Sequence, residues 1–217
     1  YYYKQDEIDL PESYNGLGYS NLIYMVLELA SFIERFRNAK EEKVSEFLAV
    51  LIEEPEAHMH PQMQQVFISQ IKGIIEEAKK DSIYVQLIIT SHSSHILSEA
   101  GIDSEKGFKR IRYFNRIGQK VEVQDFNVLN ISNEEQTARF LKQYLTLHKS
   151  DLFFSDKAII VEGTTERMLM PQMIKKSAPS LATQYVTILE VGGAYTNKFK
   201  EILQFLKLKT LIYFLPT

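Results

Sequence analysis

An α/β fold in two successive units is predicted by three features of this sequence. Short continuous apolar runs at Phe47–Ile52, Tyr84–Thr90 and Lys157–Val161 have the composition of strands buried on both faces. Between them lie stretches whose apolar residues recur at helical spacing, and strands separated by helices require crossovers and parallel pairing. The alternation is interrupted by a hairpin-like segment and restarts at Lys157, so a second, smaller unit follows the first.

The elements follow in order. From Asn21 to Arg37, Leu22, Met25, Val26, Leu29, Phe32, Ile33 and Phe36 form one apolar face, with Ser20 or Asn21 available as cap. The strand Phe47–Ile52 is followed at once by acidic residues. A second helix carries Met63, Val66, Phe67, Ile71, Ile74, Ile75 and Ala78 to Lys79 and Lys80, whose charges suit a helix C-terminus. Beyond the strand Tyr84–Thr90, segments 108–114 and 120–126 alternate around Asn115-Arg116-Ile117-Gly118 and predict an antiparallel hairpin that ends the first unit. A helix over 134–148 leads to the strand at Lys157. Helix 165–176, strand 185–191, helix 197–206 and strand 210–214 complete the second unit.

Composition narrows the class. In 217 residues, 45% hydrophobic and 12% aromatic content supplies one large or two small cores and excludes global disorder. No stretch approaches the roughly 18 apolar residues of a membrane span, so a soluble protein with no membrane partner is expected. The absence of cysteine excludes a disulfide scaffold, thiolate zinc sites and a thiol nucleophile, and it fits a cytoplasmic location. The opening Tyr-Tyr-Tyr-Lys has neither Met nor a secretory pattern, and is expected to lie inside a longer chain. Net charge is −8 over residues 1–138 and +5 over 139–217. The basic part could face a polyanion, and ordinary fluctuation between domains explains the asymmetry as well.

Two constellations carry chemistry. In the first, Glu53-Glu54-Pro55 ends a strand where open α/β sheets place ligands. One carboxylate there can hold a magnesium-bound water and its neighbour can polarise the water attacking a γ-phosphate. Thr90-Ser91-His92-Ser93 ends the next strand with a histidine able to hydrogen-bond that phosphate. A solvated turn after each strand is the plainer alternative for either motif alone. The run Ile52-Glu-Glu-Pro-Glu-Ala-His-Met-His-Pro-Gln62, with Ile88-Ile-Thr-Ser-His-Ser93 some thirty residues on, resembles the Walker B, D-loop and switch-histidine series of ABC-class ATPases. Its Glu-Glu-Pro-Glu form is similar to the branch found in OLD (overcoming lysogenisation defect) family nucleases. The resemblance places Glu53 on the magnesium side, where most ABC ATPases have Asp, Glu54 as catalytic base and His92 as switch.

Upstream, Asn15-Gly16-Leu17-Gly18-Tyr19-Ser20-Asn21 opens the first helix, and small residues with free N–H groups suit an anion there, or simply a turn and cap. It resembles a divergent ABC signature motif, which implies nucleotide contacts from Gly16, Gly18 and Ser20 across a head-to-tail homodimer or higher homo-oligomer of ATPase domains. No G-x-x-x-x-G-K-[ST] loop occurs in the chain. In the family order it would precede Tyr1, so weak ATP binding is expected of these residues alone. A rival reading gathers His58, His60, His92 and His95 with nearby glutamates into a metal-hydrolase cluster, because H-x-H at a turn can bring two imidazoles to one ion.

The second constellation is Val161-Glu162-Gly163-Thr164-Thr165-Glu166, a buried strand ending in a glutamate with another glutamate in the following first helical turn. Two such carboxylates can converge on Mg²⁺ or Mn²⁺, which activates water in phosphodiester cleavage; alternatively Glu166 simply favours the helix dipole. The run resembles the first motif of Toprim domains, and Val191-Gly192-Gly193-Ala194 matches their second strand and glycine turn. An ABC-type part followed by a Toprim part is the domain order of the OLD nucleases, including Gabija-type anti-phage nucleases. The resemblance implies an α/β chain of two parts, a partial ABC-type ATPase domain (1–131) and a partial Toprim, Rossmann-like domain (157–217), joined by a linker helix (132–156). Glu162 and Glu166 become metal ligands, with Glu162 central to DNA cleavage. The Toprim Asp-x-Asp pair and later lysine are absent, since the chain reads Lys209-Thr-Leu-Ile-Tyr-Phe-Leu-Pro-Thr217.

The leading expectation is therefore part of an ATP-regulated, divalent-metal-dependent DNA endonuclease of phage defence, using ATP and Mg²⁺ or Mn²⁺. DNA and a helicase-like protein are its expected partners. A non-catalytic assembly or regulatory module is the alternative that the missing motifs favour. Primase or topoisomerase work on the Toprim fold is a third reading, against which the ABC-like part counts.

Overall fold

The computed structural model describes residues 2–5, 8–11, 16–39, 47–101, 108–128, 150–192 and 195–213. The helix expected over 134–148, most of the linker, and Gly193-Ala194 lie outside the described residues. The chain divides into two compact units, residues 1–96 and 97–217.

In the first unit, β1 (Tyr2–Gln5) and β2 (Ile8–Pro11) pair antiparallel. Then come α1 (Leu17–Ala39), β3 (Phe47–Glu53), α2 (Pro61–Lys80), β4 (Tyr84–Thr90) and a single helical turn, α3 (Ser94–Ile96). Strands β3 and β4 run parallel in register from Phe47↔Tyr84 to Glu53↔Thr90, with α2 as the crossover. Helix α2 starts cleanly because His60 is extended and Pro61, whose ring presets the helical φ, occupies the first turn. Its buried face is Gln64, Phe67, Ile68, Ile71 and Ala78; α1 contributes Leu22, Leu29 and Ile33. Arg37 and Asp81 join the ends of the two helices at 2.5 Å.

Two expectations are corrected here. Helix α1 begins at Leu17, four residues before Asn21, because the Gly16 carbonyl accepts the N–H groups of Tyr19 (3.0 Å) and Ser20 (3.1 Å). Ser20 and Asn21 therefore lie inside the helix and do not cap it; the apolar rhythm misses its first turn because Leu17 and Tyr19 face solvent. Nor are β3 and β4 buried on both faces. Exposure alternates along each strand, and Phe47, Leu51, Tyr84 and Ile88 are 46–68% exposed while the opposite face is half-buried where α1 and α2 lie against the pair.

In the second unit, β5 (Arg112–Ile117) and β6 (Lys120–Asp125) form the hairpin. Its turn is Gly118-Gln119, not 115–118: pairing continues to Ile117↔Lys120, and Gly118 supplies the positive φ (64°) of a two-residue turn. Strand β7 (Lys157–Val161) is central to a parallel sheet ordered β8-β7-β9, with β8 at Val186–Glu190 and β9 at Lys209–Tyr213. Helices α4 (Thr164–Ser177) and α5 (Thr196–Phe205) make the crossovers.

Here β7 is buried on both faces as expected. Ala158 and Ile160 enter a core with Leu189, Phe199, Ile202 and Leu206, while Ile159 and Val161 pack with Met170 on the other side. The hairpin expected to end the first unit packs instead in the second, whose core includes Phe108, Ile111 and Phe126. Phe126 meets Phe153 at 5.7 Å and Phe205 edge-on at 4.6 Å, a geometry aromatic quadrupoles favour. Among the described residues, no helix is long and apolar enough to cross a membrane.

Candidate functional site

The parallel register fixes the first site. Glu53 is the last residue of β3, opposite Thr90, so the carboxylates and the Ser91-His92-Ser93 loop emerge at the same edge. The Glu54 N–H donates to the Thr90 carbonyl at 2.9 Å, which holds the chain as it leaves the strand. Glu54 then takes a left-handed φ of 42° and His58 one of 66°, conformations costly for residues with a Cβ and associated with sites the surrounding structure holds in place. The Glu54 carboxylate stands 3.4 Å from His92 Nε2, both side chains largely exposed.

Several contacts hold these loops. The Glu56 carboxylate accepts the Ser91 hydroxyl (2.9 Å) and the His92 backbone N–H (2.6 Å). Ser93 Oγ donates to the buried Gln64 Oε1 at 2.5 Å, and Gln64 Nε2 donates to the Met59 carbonyl at 3.0 Å. From α1, Asn21 Nδ2 donates to the Ala57 carbonyl at 3.2 Å. Gly18 lies so close to the turn that a Cβ there would meet the His58 carbonyl oxygen at 2.3 Å, whereas nothing lies within 4 Å of one on Gly16. Gly16, Gly18 and Ser20 thus sit at the start of α1, with Gly18 against the turn after β3; by helix geometry the Leu17 and Gly18 N–H groups have no intrahelical acceptor.

The rival metal-hydrolase cluster is not assembled. Among the described residues, which include His58, His60, His92 and His95, no three His, Asp or Glu side chains are placed to hold one metal ion. His60 ends the turn as the extended residue before α2.

In the second unit, Glu162 follows the last residue of β7 and is exposed. Gly163 is extended and begins α4, and Glu166 Oε2 lies 3.1 Å from where a Cβ on Gly163 would sit. The glycine therefore leaves room for that carboxylate at the strand end. Hard carboxylate oxygens at an exposed strand end suit a divalent ion that keeps several waters, although Glu162 and Glu166 supply only part of a coordination shell. Thr164 Oγ1 donates to Glu190 Oε1 at 2.8 Å and Arg167 approaches Glu190 Oε2 at 3.5 Å, tying the start of α4 to the end of β8. Glu56, Gln64 and Glu190 carry these arrangements without having been singled out from sequence. Two were in view: Glu56 lies within the quoted Glu-Glu-Pro-Glu run, and Glu190 stands two residues before Gly192.

Comparison with known proteins matches two segments of the chain. Residues 2–97 match the AAA ATPase domain family, and residues 153–214 match the TOPRIM domain family of overcoming-lysogenization-defect-like proteins. "Endonuclease GajA" of Bacillus cereus (strain HuB5-5) is 34% identical over 224 residues, covering 98% of this chain and 32% of the relative. "OLD nuclease" of Thermus scotoductus (strain ATCC 700910 / SA-01) is 24% identical, covering 88% of this chain and 33% of its own length. "Septu protein PtuA" of Bacillus thuringiensis is 36% identical over 92 residues, 42% of this chain and 22% of the relative. The chain spans about a third of the length of the first two relatives. Fold and comparison together define an ATPase-type segment followed by a TOPRIM segment. Over most of its own length the chain is similar to proteins of the OLD and GajA nuclease type.

Proposed function

We propose that this chain contributes the Walker B, switch and first TOPRIM elements of an ATP-regulated, divalent-metal-dependent DNA endonuclease acting in anti-phage defence. The supporting observation is the Glu54–His92 pair just beyond the ends of adjacent parallel strands, in a chain whose second unit places Glu162 directly after its central strand. In this reading Glu53 holds a water of the nucleotide's Mg²⁺, Glu54 takes the proton of the attacking water, and His92 hydrogen-bonds the γ-phosphate. Gly16, Gly18 and Ser20 address nucleotide across a homo-oligomer of ATPase domains. Glu162 and Glu166 hold Mg²⁺ or Mn²⁺, which supplies Lewis-acid activation of water at the scissile phosphate. In this reading the ATPase-type part runs by sequence order to 131, although its hairpin packs within the second compact unit, 132–156 is the linker and 157–217 the TOPRIM part, with a cytoplasmic setting and a helicase-like partner.

The test uses a chain of the relatives' length containing these 217 residues. Glu54→Gln is expected to lower ATP turnover by about 10²-fold or more, the scale of a lost general base. Glu162→Ala is expected to abolish metal-dependent nicking of supercoiled DNA. Nicking that survives Glu162→Ala, or turnover that survives Glu54→Gln, removes the corresponding assignment.

A further inference from the structure

We infer that Glu56 is a positioning residue for ATP hydrolysis: its carboxylate locks the loop after β4 to the turn after β3 and so holds the His92 ring beside Glu54. The inference rests on the reading of Glu54 and His92 as hydrolytic residues and adds to it a residue that acts through the loop carrying His92.

The two side chains have little else to hold them. His92 is 81% and Glu54 61% exposed in their side chains, so packing does not fix their separation. Their backbones do. On the β3 side, Glu54 is anchored by its N–H to Thr90 and by its carbonyl, which accepts the Ala57 N–H at 3.1 Å. Beyond Thr90 the strand ladder ends, and the chain at His92 is held by a side chain: Glu56 accepts its N–H at 2.6 Å and the Ser91 hydroxyl at 2.9 Å. A charged acceptor taking two donors makes shorter and stronger bonds than a neutral one. Ser91 Oγ in turn accepts the Ser93 N–H at 2.9 Å, so the carboxylate braces three consecutive residues centred on the histidine. The tie through Ser93, Gln64 and Met59 fastens the loop on its far side. Glu56 is two residues from Glu54 in the same turn, so a shift of the His92 backbone relative to that turn must stretch these bonds.

The residue type matters for distinct reasons. Glutamine can accept the His92 N–H through its carbonyl and meet Ser91 through its amide, so Glu56→Gln keeps part of the brace. Aspartate is one methylene shorter, and alanine removes both acceptors. In the 217-residue chain, Glu56→Ala is expected to raise amide hydrogen exchange at His92 by about tenfold or more while exchange within α2 is unchanged, and Glu56→Gln to raise it less. In the longer chain, Glu56→Ala is expected to lower kcat for ATP by about 10- to 100-fold, the scale set by misplacing a catalytic group, with KM for ATP little changed and partial rescue by glutamine. Unchanged His92 exchange in Glu56→Ala overturns the brace. Faster exchange with undiminished kcat, while Glu54→Gln remains inactive, overturns the positioning role and leaves the ATPase reading standing. Turnover that survives Glu54→Gln and His92→Ala instead defeats the ATPase reading itself.

Discussion

At the scale of single residues, Gly16 and Gly18 look alike in the sequence and differ in the structure. The contact that a Cβ at position 18 would make is with the backbone carbonyl of His58 at 2.3 Å, so the conflict is relieved only by moving α1 or the turn. Gly18→Ala is expected to destabilise the chain near the upper end of the about 1–3 kcal/mol seen for overpacking. Gly16→Ala, with open space around it, is expected to cost no more than the few tenths to about 1 kcal/mol of an altered N-cap. Urea denaturation of both variants tests the contact; equal losses would show that α1 and the turn do not approach as described. A residue type records that small size or freedom is needed and does not record which neighbour requires it. The same limit hid Glu56: its acidity is plain in the Glu-Glu-Pro-Glu run, but its donors lie 35 and 36 residues away on another loop.

At the scale of elements, the hairpin shows where period-two alternation is informative and where it is not. The alternation located both strands, but apolar Ile117 and its neighbours Asn115 and Arg116 were read as turn because their ladder partners are not visible in sequence. The hairpin's far end carries its own electrostatic lock. The Asn127 N–H donates to Asp125 Oδ1 at 2.7 Å, starting the 3₁₀ turn 126–128, and Arg112 lies 2.9 Å from the same carboxylate across the strand pair. The Asn127 hydrogen bond first, and Arg112 after it, hold the Asp125 carboxyl below the usual aspartate range. A carboxylate depressed in the folded state stabilises it above the unfolded pKa, about 3.9, and that contribution is lost as pH falls through the lower folded value. The stability difference between the unaltered chain and Asp125→Asn should therefore be steady near neutrality and shrink below about pH 4. Urea midpoints of both proteins from pH 7 to 2 check this, and a difference independent of pH would mean that the Asp125 charge does not contribute.

At the scale of the whole chain, the two units differ in how completely their sheets are covered, and the sequence did not reveal this. Apolar runs at Phe47–Ile52 and Lys157–Val161 look equivalent, since both satisfy the pattern of a strand buried on two faces. That pattern reports what a strand can bury and not whether a layer lies over it. Strand β7 has hydrogen-bonded neighbours on both sides and packed side chains on both faces. The β3–β4 pair exposes Leu51 by 67% and Tyr84 by 68% on one face, and its half-buried face is where α1 and α2 pack. Backbone hydrogen bonds under a closed core open only with the whole unit, whereas those beneath an uncovered face open by smaller fluctuations. Ile159 and Ile160 amides should accordingly exchange at least about tenfold more slowly than ladder-bonded amides of the β3–β4 pair in the 217-residue chain. The candidate ATP residues Glu53, Glu54 and His92 would then sit on the less protected of the two sheets, where a partner surface or bound nucleotide that covers the pair has the greater leverage on their alignment. Equal protection of the two sheets would overturn this, because it would mean that the exposed β3–β4 face is closed in solution and that the two units open together.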